Sequence, residues 1–192
     1  MCENSMDFRQ GDRFPDLVFL GACPGQREFN NAPPRPFVGK SGSNLRVLIK
    51  VLREIQDKEA YGLRPDDFAS DRVDDYTLMN SHDEAKWKGQ HRRTTPLMSE
   101  VDSPENRRRI VNQLQSVNAR VVIGLGRPVD DEELTLKGND TGPLRVIRNL
   151  AADHQGILFV ITGHPSPQAI NRHGGGDARQ WFLGKLRRFP LQ

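Results

Sequence analysis

Cysteine is almost missing from the sequence: Cys2 and Cys23 are the only two in 192 residues. Two thiols cannot build a disulfide framework or an all-cysteine metal cluster, which fits a reducing compartment. Aromatic residues make up only 7% of the chain, and no apolar run comes near the length a membrane span needs. The start, MCENSMDFRQGDRFPD, has neither a basic n-region nor an apolar h-region. The expectation is a cytoplasmic protein without a membrane partner. There is no internal repeat, low-complexity tract or linker, so residues 1–192 are expected to form one domain, acting as a monomer. Excess charge is also scarce. The 28 Lys and Arg residues against 25 Asp and Glu leave a net charge of +3, with a pI near 9.1 and a mean hydropathy of −0.66. That balance permits a nucleic-acid partner without demanding one.

Against this polar background four short apolar runs stand out. They are DLVFLG ending at Gly21, YTLMN ending at Asn80, RVVIGLG ending at Gly126, and ILFVITG ending at Gly163. Runs this short and continuous fit strands buried on both faces. Between the first two, Leu45, Leu48, Ile49, Leu52 and Ile55 recur at helical spacing, with Ser41 or Ser43 as candidate caps. Between the second and third, Ser103 is expected to cap a helix that Pro104 opens, with Ile110, Leu114 and Val117 on one stripe. GPLRVIRN reads as a further possible strand, and DARQWFLGKLRRF as a closing helix with Phe182, Leu186 and Phe189 inward. Residues 61–75 read as a polar connection. Strands alternating with helices predict a three-layer α/β/α fold around a central, mainly parallel four-stranded sheet.

In such sheets ligands bind beyond the carboxyl ends of the strands. Four loops therefore meet at one rim: GACPGQREFNNAPPRPFVGKSGS, SHDEAKWKGQHRR after Asn80, GLGRP, and GHPSPQAINRHGGG. The first is rich in Gly and Pro, so its backbone N–H groups can face a phosphate where the next helix starts. It is not a Walker loop, since GKSGS has the letters in the wrong frame. Phe37 is either a platform for a base or a plug at the core edge. Asn80 either reads the edge of a flat heterocycle or satisfies its own turn. His164 is either structural or a donor to charge developing in a transition state. The runs of arginine suit phosphate contacts or simply a solvated face.

Taken together, GACPGQREFNNAPPRPFVGKSG and GHPSP resemble the uracil-DNA glycosylase superfamily, nearest to its family 4 and related bacterial branches, across most of the chain. The Gly-x-x-Pro-Gly turn is Gly21 to Gly25, and the Arg-Pro-Phe-Val-Gly segment is Arg35 to Gly39. Asn80 matches the asparagine that ends the second strand, RRTTP resembles the Arg-Thr-Pro that follows it, and His164 to Pro167 match His-Pro-Ser-Pro. The resemblance implies a monofunctional DNA glycosylase. Phe37 would stack on a flipped base, Asn80 would bond its edge, and His164 would meet the charge on the departing base at O2. The loop from Pro165 would enter the minor groove, with Gln168, Ala169 or Ile170 replacing the extruded nucleotide. Lys40, Ser41, Ser43, Pro165, Ser166, Pro167, Gln168 and Arg172 are the expected DNA contacts, and PSPQAINRHGGG is expected to stay non-helical as a semi-rigid wedge.

The departures from the family pattern are informative. Family 4 binds an iron–sulfur cluster through cysteines, and two cysteines predict no cluster and no other cofactor. Relatives carry Asp or Asn at the position of Cys23, or Glu at that of Ala22, to orient the attacking water; Glu28 is the substitute here. Family 1 closes the pyrimidine C5 side with a tyrosine where this chain has Gly25, so the base pocket formed with Ala22, Cys23, Phe37 and Asn80 is expected to be open there. The expected substrate is uracil or a 5-substituted, even hypermodified, pyrimidine of the kind found in phage DNA, which would suit a defence role. The alternatives are a catalytically silent binder of damaged or single-stranded DNA, or a covalent trap using His91.

Overall fold

The structure, a computed structural model, describes residues 5–126, 138, 140–154 and 156–189. Six strands form one sheet in the order β1-β3-β2-β4-β5-β6. They are β1 (Phe8–Arg9), β2 (Phe14–Gly21), β3 (Tyr76–Asn80), β4 (Val121–Leu125), β5 (Leu158–Thr162) and β6 (Arg187–Phe189). The four strands read from the sequence are the parallel centre, β3-β2-β4-β5. Two short antiparallel strands, β1 on β3 and β6 on β5, close the edges and raise the expected four strands to six. Two and three residues long, they carry too little apolar alternation to stand out in the sequence.

The central strands are buried on both faces, and period-two alternation sorts their side chains. Leu17 and Phe19 join one core with Val121, Ile123 and Val160, covered by helix α2 (Lys40–Glu54) and helix α8 (Ala178–Lys185). Val18 and Leu20 join the other with Val122 and Ile161, covered by α5 (Pro104–Ser116) and α6 (Gly142–Ala151). Each fully buried aliphatic side chain contributes about 1.5–3 kcal/mol, so these two layers hold the sheet between its helices. The result is the three-layer α/β/α arrangement.

Four local expectations change. Helix α2 is capped at Gly39, placing Ser41 and Ser43 inside its first turn. GPLRVIRN is helix α6: Thr141 Oγ1 accepts the Leu144 N–H at 3.4 Å, Pro143 fits the first turn, and Leu144, Ile147 and Leu150 face inward. Residues after Ser166 form helix α7 (Pro167–His173), with Ser166 Oγ accepting the Ala169 N–H at 3.2 Å. The closing helix ends before Leu186, and Phe189 reaches the core from β6. Phe182, Leu186 and Phe189 are all inward. Short helices α1 (Gln26–Phe29), α3 (Lys88–His91) and α4 (Met98–Val101) sit in the rim loops. Within 61–75, Phe68 is fully buried against Phe19 and Tyr76. No helix among the described residues is long and apolar enough to cross a membrane.

Candidate active site

Beyond the carboxyl ends of β2, β3, β4 and β5 lies a cleft of about 620 Å³. Its lining includes Ala22, Cys23, Gly25, Glu28, Phe37, Asn80 and His164, so the fold brings together the residues singled out for base and catalysis. Ser41, Ser166 and Gln168 also line it. The Arg and Pro of GLGRP, residues 127 and 128, lie outside the described residues.

His164 is held from three directions. Its carbonyl accepts the Trp181 Nε1–H at 3.1 Å, and the next residue, Pro165, accepts from buried Asn44 Nδ2 at 2.8 Å. Its own ring takes the Ser166 backbone N–H on Nδ1 at 3.1 Å. A backbone N–H can only donate, so Nδ1 is unprotonated and the ring proton sits on Nε2. Burial drives the imidazole pKa down to about 4, so the ring is neutral at pH 7. His164 therefore offers a neutral Nε2–H in a partly desolvated place, which is the chemistry of an oxyanion donor.

Asn80 is fixed through its backbone. Its N–H donates to the Asp7 carbonyl at 2.9 Å, and its carbonyl accepts Arg109 Nη2 at 3.1 Å, itself anchored to Asp7 at 2.6 Å. The carboxamide forms no hydrogen bond with a described residue, so it is not the self-satisfied turn residue that strand ends often hold. A Cβ placed on Gly21 would lie 2.6 Å from both Asn80 Oδ1 and Phe37 Cζ. Only glycine lets the ring and the amide converge there. Phe37 holds a left-handed backbone, φ 54°, which costs a bulky residue roughly 1–2 kcal/mol. Such strain persists where the surroundings over-determine it, often at functional sites. Phe37 also packs into the α2 core at 8% exposure, so it is core plug and cleft wall together.

The β2 wall differs in character. Cys23 Sγ donates to the Thr94 carbonyl at 3.5 Å, and burial pushes its pKa up to about 12, making it a neutral thiol. Glu28 Oε2 accepts the Gly25 N–H at 3.0 Å and Oε1 the Val38 N–H at 3.3 Å, tying the two halves of the first loop together. A Cβ on Gly25 would meet only the Glu28 carboxylate, at 3.0 Å. An iron–sulfur cluster does not fit this donor set, which offers one protonated thiol at the cleft from a chain of two cysteines.

The remaining sequence candidates lie outside the cleft lining. Lys40 and Arg172 are exposed at helix ends, and Ser43 donates back to the Gly39 carbonyl at 3.3 Å beside a separate groove. Pro165 is buried and Pro167 opens α7. Of the wedge candidates, Ile170 is 3% exposed and packs into the core with Ala169 against it, because both turn inward once α7 forms. Gln168, which lines the cleft, stays exposed. His91 stacks edge-on to Trp87 at 5.4 Å without lining the cleft.

The sequence reading nominated no residue on the wall made by Lys86, Trp87, Thr94, Thr95, Pro96 and Met98. The rim loop SHDEAKWKGQHRR, which holds Lys86 and Trp87, and RRTTP were its only signals. Lys86 is buried, and its Nζ lies 2.6 Å from Glu84 and 3.2 Å from Glu100. Burial works against its charge, but these bonds outweigh burial and raise its pKa. Glu84 and Glu100 also approach His82 closely enough to share a cation, and Lys86 supplies that positive charge.

A family model of the uracil DNA glycosylase superfamily matches residues 8–188. The chain belongs to that superfamily. Superfamily members act on DNA and generally hydrolyse N-glycosyl bonds, so membership supports a DNA glycosylase-type activity for the chain. A search among curated proteins finds no match.

Proposed function

We propose that the protein is a monofunctional DNA glycosylase that extrudes a pyrimidine into the cleft and hydrolyses its N-glycosidic bond, leaving an abasic site. The observation that carries this reading is the tautomer of His164: neutral, with its proton on Nε2 and Nδ1 capped by Ser166. As the glycosidic bond breaks, its electron pair passes to the base, and negative charge collects on the O2 oxygen. A prearranged neutral donor in a place poor in water stabilises that charge without competing for a proton. Phe37 stacks on the base and the free Asn80 carboxamide bonds its edge, repaying part of the unstacking cost of flipping. Water then adds to the sugar C1′, and the proton it loses neutralises the departed base anion.

The substrate is uracil or a pyrimidine enlarged at C5. Support for the larger base comes from Gly25, where no side chain but Glu28 stands close, and from a cleft volume within the roughly 300–1,000 Å³ of small-molecule sites. Removal of hypermodified phage bases would be a natural use of such a pocket. Mass spectrometry of bases released from uracil-containing, hypoxanthine-containing and phage-modified DNA tests this. Release of a 5-substituted pyrimidine is expected; release of uracil alone removes the enlarged-base reading.

A second reading rests on the β2 wall. Cys23 is a neutral thiol and both Glu28 oxygens already accept backbone N–H groups, which favours a silent binder of damaged DNA. DNA binding by the wild type with no base released from any of these substrates would establish it.

A further inference from the structure

Phe29 is 54% exposed, the most exposed large apolar side chain among the described residues. It projects from α1, and its ring centroid lies 5.3 Å from that of Trp87 at 45°. Trp87 in turn meets His91 edge-on at 5.4 Å. Three rings from two segments far apart in sequence thus form a continuous ledge, and Trp87 also lines the cleft. A purely structural cluster would bury its outermost ring; here that ring is the most open. The cations beside it differ in the same sense. Arg93 is tied to Glu100 at 2.5 Å, whereas Lys88 and Arg92 are exposed and pair with no described residue. Aromatic faces flanked by free cations are how proteins hold single-stranded nucleic acid, since every unpaired base has a face to stack and a phosphate to neutralise.

We propose that the Phe29–Trp87 ledge is a second nucleobase site, which stacks an unpaired base neighbouring the extruded nucleotide while Lys88 and Arg92 meet its phosphates. The protein then holds single-stranded DNA more tightly than the paired duplex, whose neighbouring bases stay in their own stack. This rests on the reading of the cleft as a base-excision site, but its test does not need catalysis. A short fluorescent oligonucleotide carrying a stable abasic analogue, which has no base to release, is titrated with the full chain by anisotropy, alone and annealed to its complement. Phe29→Ala and Trp87→Ala should each weaken single-strand binding about tenfold, and Phe29→Trp should restore it. Duplex binding by Phe29→Ala should change less than about twofold. Replacing Lys88 and Arg92 together with alanine should flatten the slope of log K against log salt by about 1.4, or about 0.7 per lost phosphate contact. Undiminished single-strand binding by Phe29→Ala, or equal losses on both DNA forms, overturns the ledge. Normal base release alongside such a result would leave the cleft reading standing. A ledge that behaves as proposed in a protein releasing no base would separate the two in the other direction.

Discussion

On the β5 side of the cleft, His164 is gripped through its ring, its carbonyl and the following residue by Ser166, Trp181 and Asn44. On the β2 side, Cys23 is a weak donor to one carbonyl, and Glu28 has both oxygens turned to its own loop. One wall presents a fixed, neutral Nε2–H; the other offers a neutral thiol and a carboxylate already bonded to two backbone N–H groups. On the proposed reading of the cleft, the difference means a site organised around bond breaking rather than nucleophile activation. That suits a reaction in which departure of the base runs ahead of attack by water.

The largest effect should come from removing the donor. His164→Ala is expected to lower single-turnover base release about 10²–10³-fold while DNA binding stays within about twofold. The comparison breaks if that variant turns over normally. Next is pH. With the His164 pKa near 4, release should stay flat from about pH 8 down to about pH 5, then fall about tenfold per unit below pH 4 as Nδ1 takes a proton and loses the Ser166 bond. An inflection near the ordinary histidine value of 6.5 would mean that the ring is solvated. Stability carries the same sign. The unfolded chain protonates His164 near 6.5 and the folded chain near 4, so the unfolded state binds more protons between those values. The His164 contribution is therefore complete above pH 6.5 and is lost as pH falls towards 4, a slope that His164→Asn should reduce in urea melts.

Gly21→Ala tests whether the ring and the amide must converge. Its Cβ would sit 2.6 Å from Phe37 and from Asn80, so base release should fall about tenfold and the fold should lose roughly 1–3 kcal/mol. Asn80→Asp exchanges two donors for an acceptor. It should shift preference about tenfold towards bases that present an amino group at the edge, measured by competition between uracil and cytosine substrates. Unchanged preference would remove Asn80 from base reading.

The β5 wall was more legible in the sequence than the β2 wall, for physical reasons. Runs such as YTLMN and LFVIT are almost wholly buried, so composition alone marks them and places Asn80 at the end of one and His164 two residues beyond the other. Helix starts were read unevenly. Ser103-Pro104 opens a helix with a clear apolar stripe, whereas Ser166-Pro167, with the same cap signature, opens only the seven residues of α7 before Gly174 ends it. α6 was hidden by its β-branched Val146 and Ile147, whose strand preference tertiary packing overrides. The edge strands and the Lys86 to Met98 wall have no period to detect. Their placement depends on long-range contacts such as Lys86 N–H to the Pro24 carbonyl at 2.9 Å. The Glu28 brace was equally invisible, because nothing local announces a carboxylate that bonds residues three before and ten after it.

That brace sets the smallest expected effect. Glu28→Gln keeps the side-chain shape, but its amide can accept only one of the two backbone N–H groups and turns a donor towards the other. The loop should lose about 1 kcal/mol of hydrogen bonding, read as a lower midpoint in denaturant. Because Val38 adjoins Phe37, the kinetic consequence should fall on KM, through looser stacking, with kcat within about threefold of wild type. A fall in kcat of about 10²–10⁴-fold with KM unchanged would instead make Glu28 the group that takes a proton from the attacking water. The two walls would then be equally committed, and the contrast between a fixed leaving-group donor and a loosely held nucleophile would disappear.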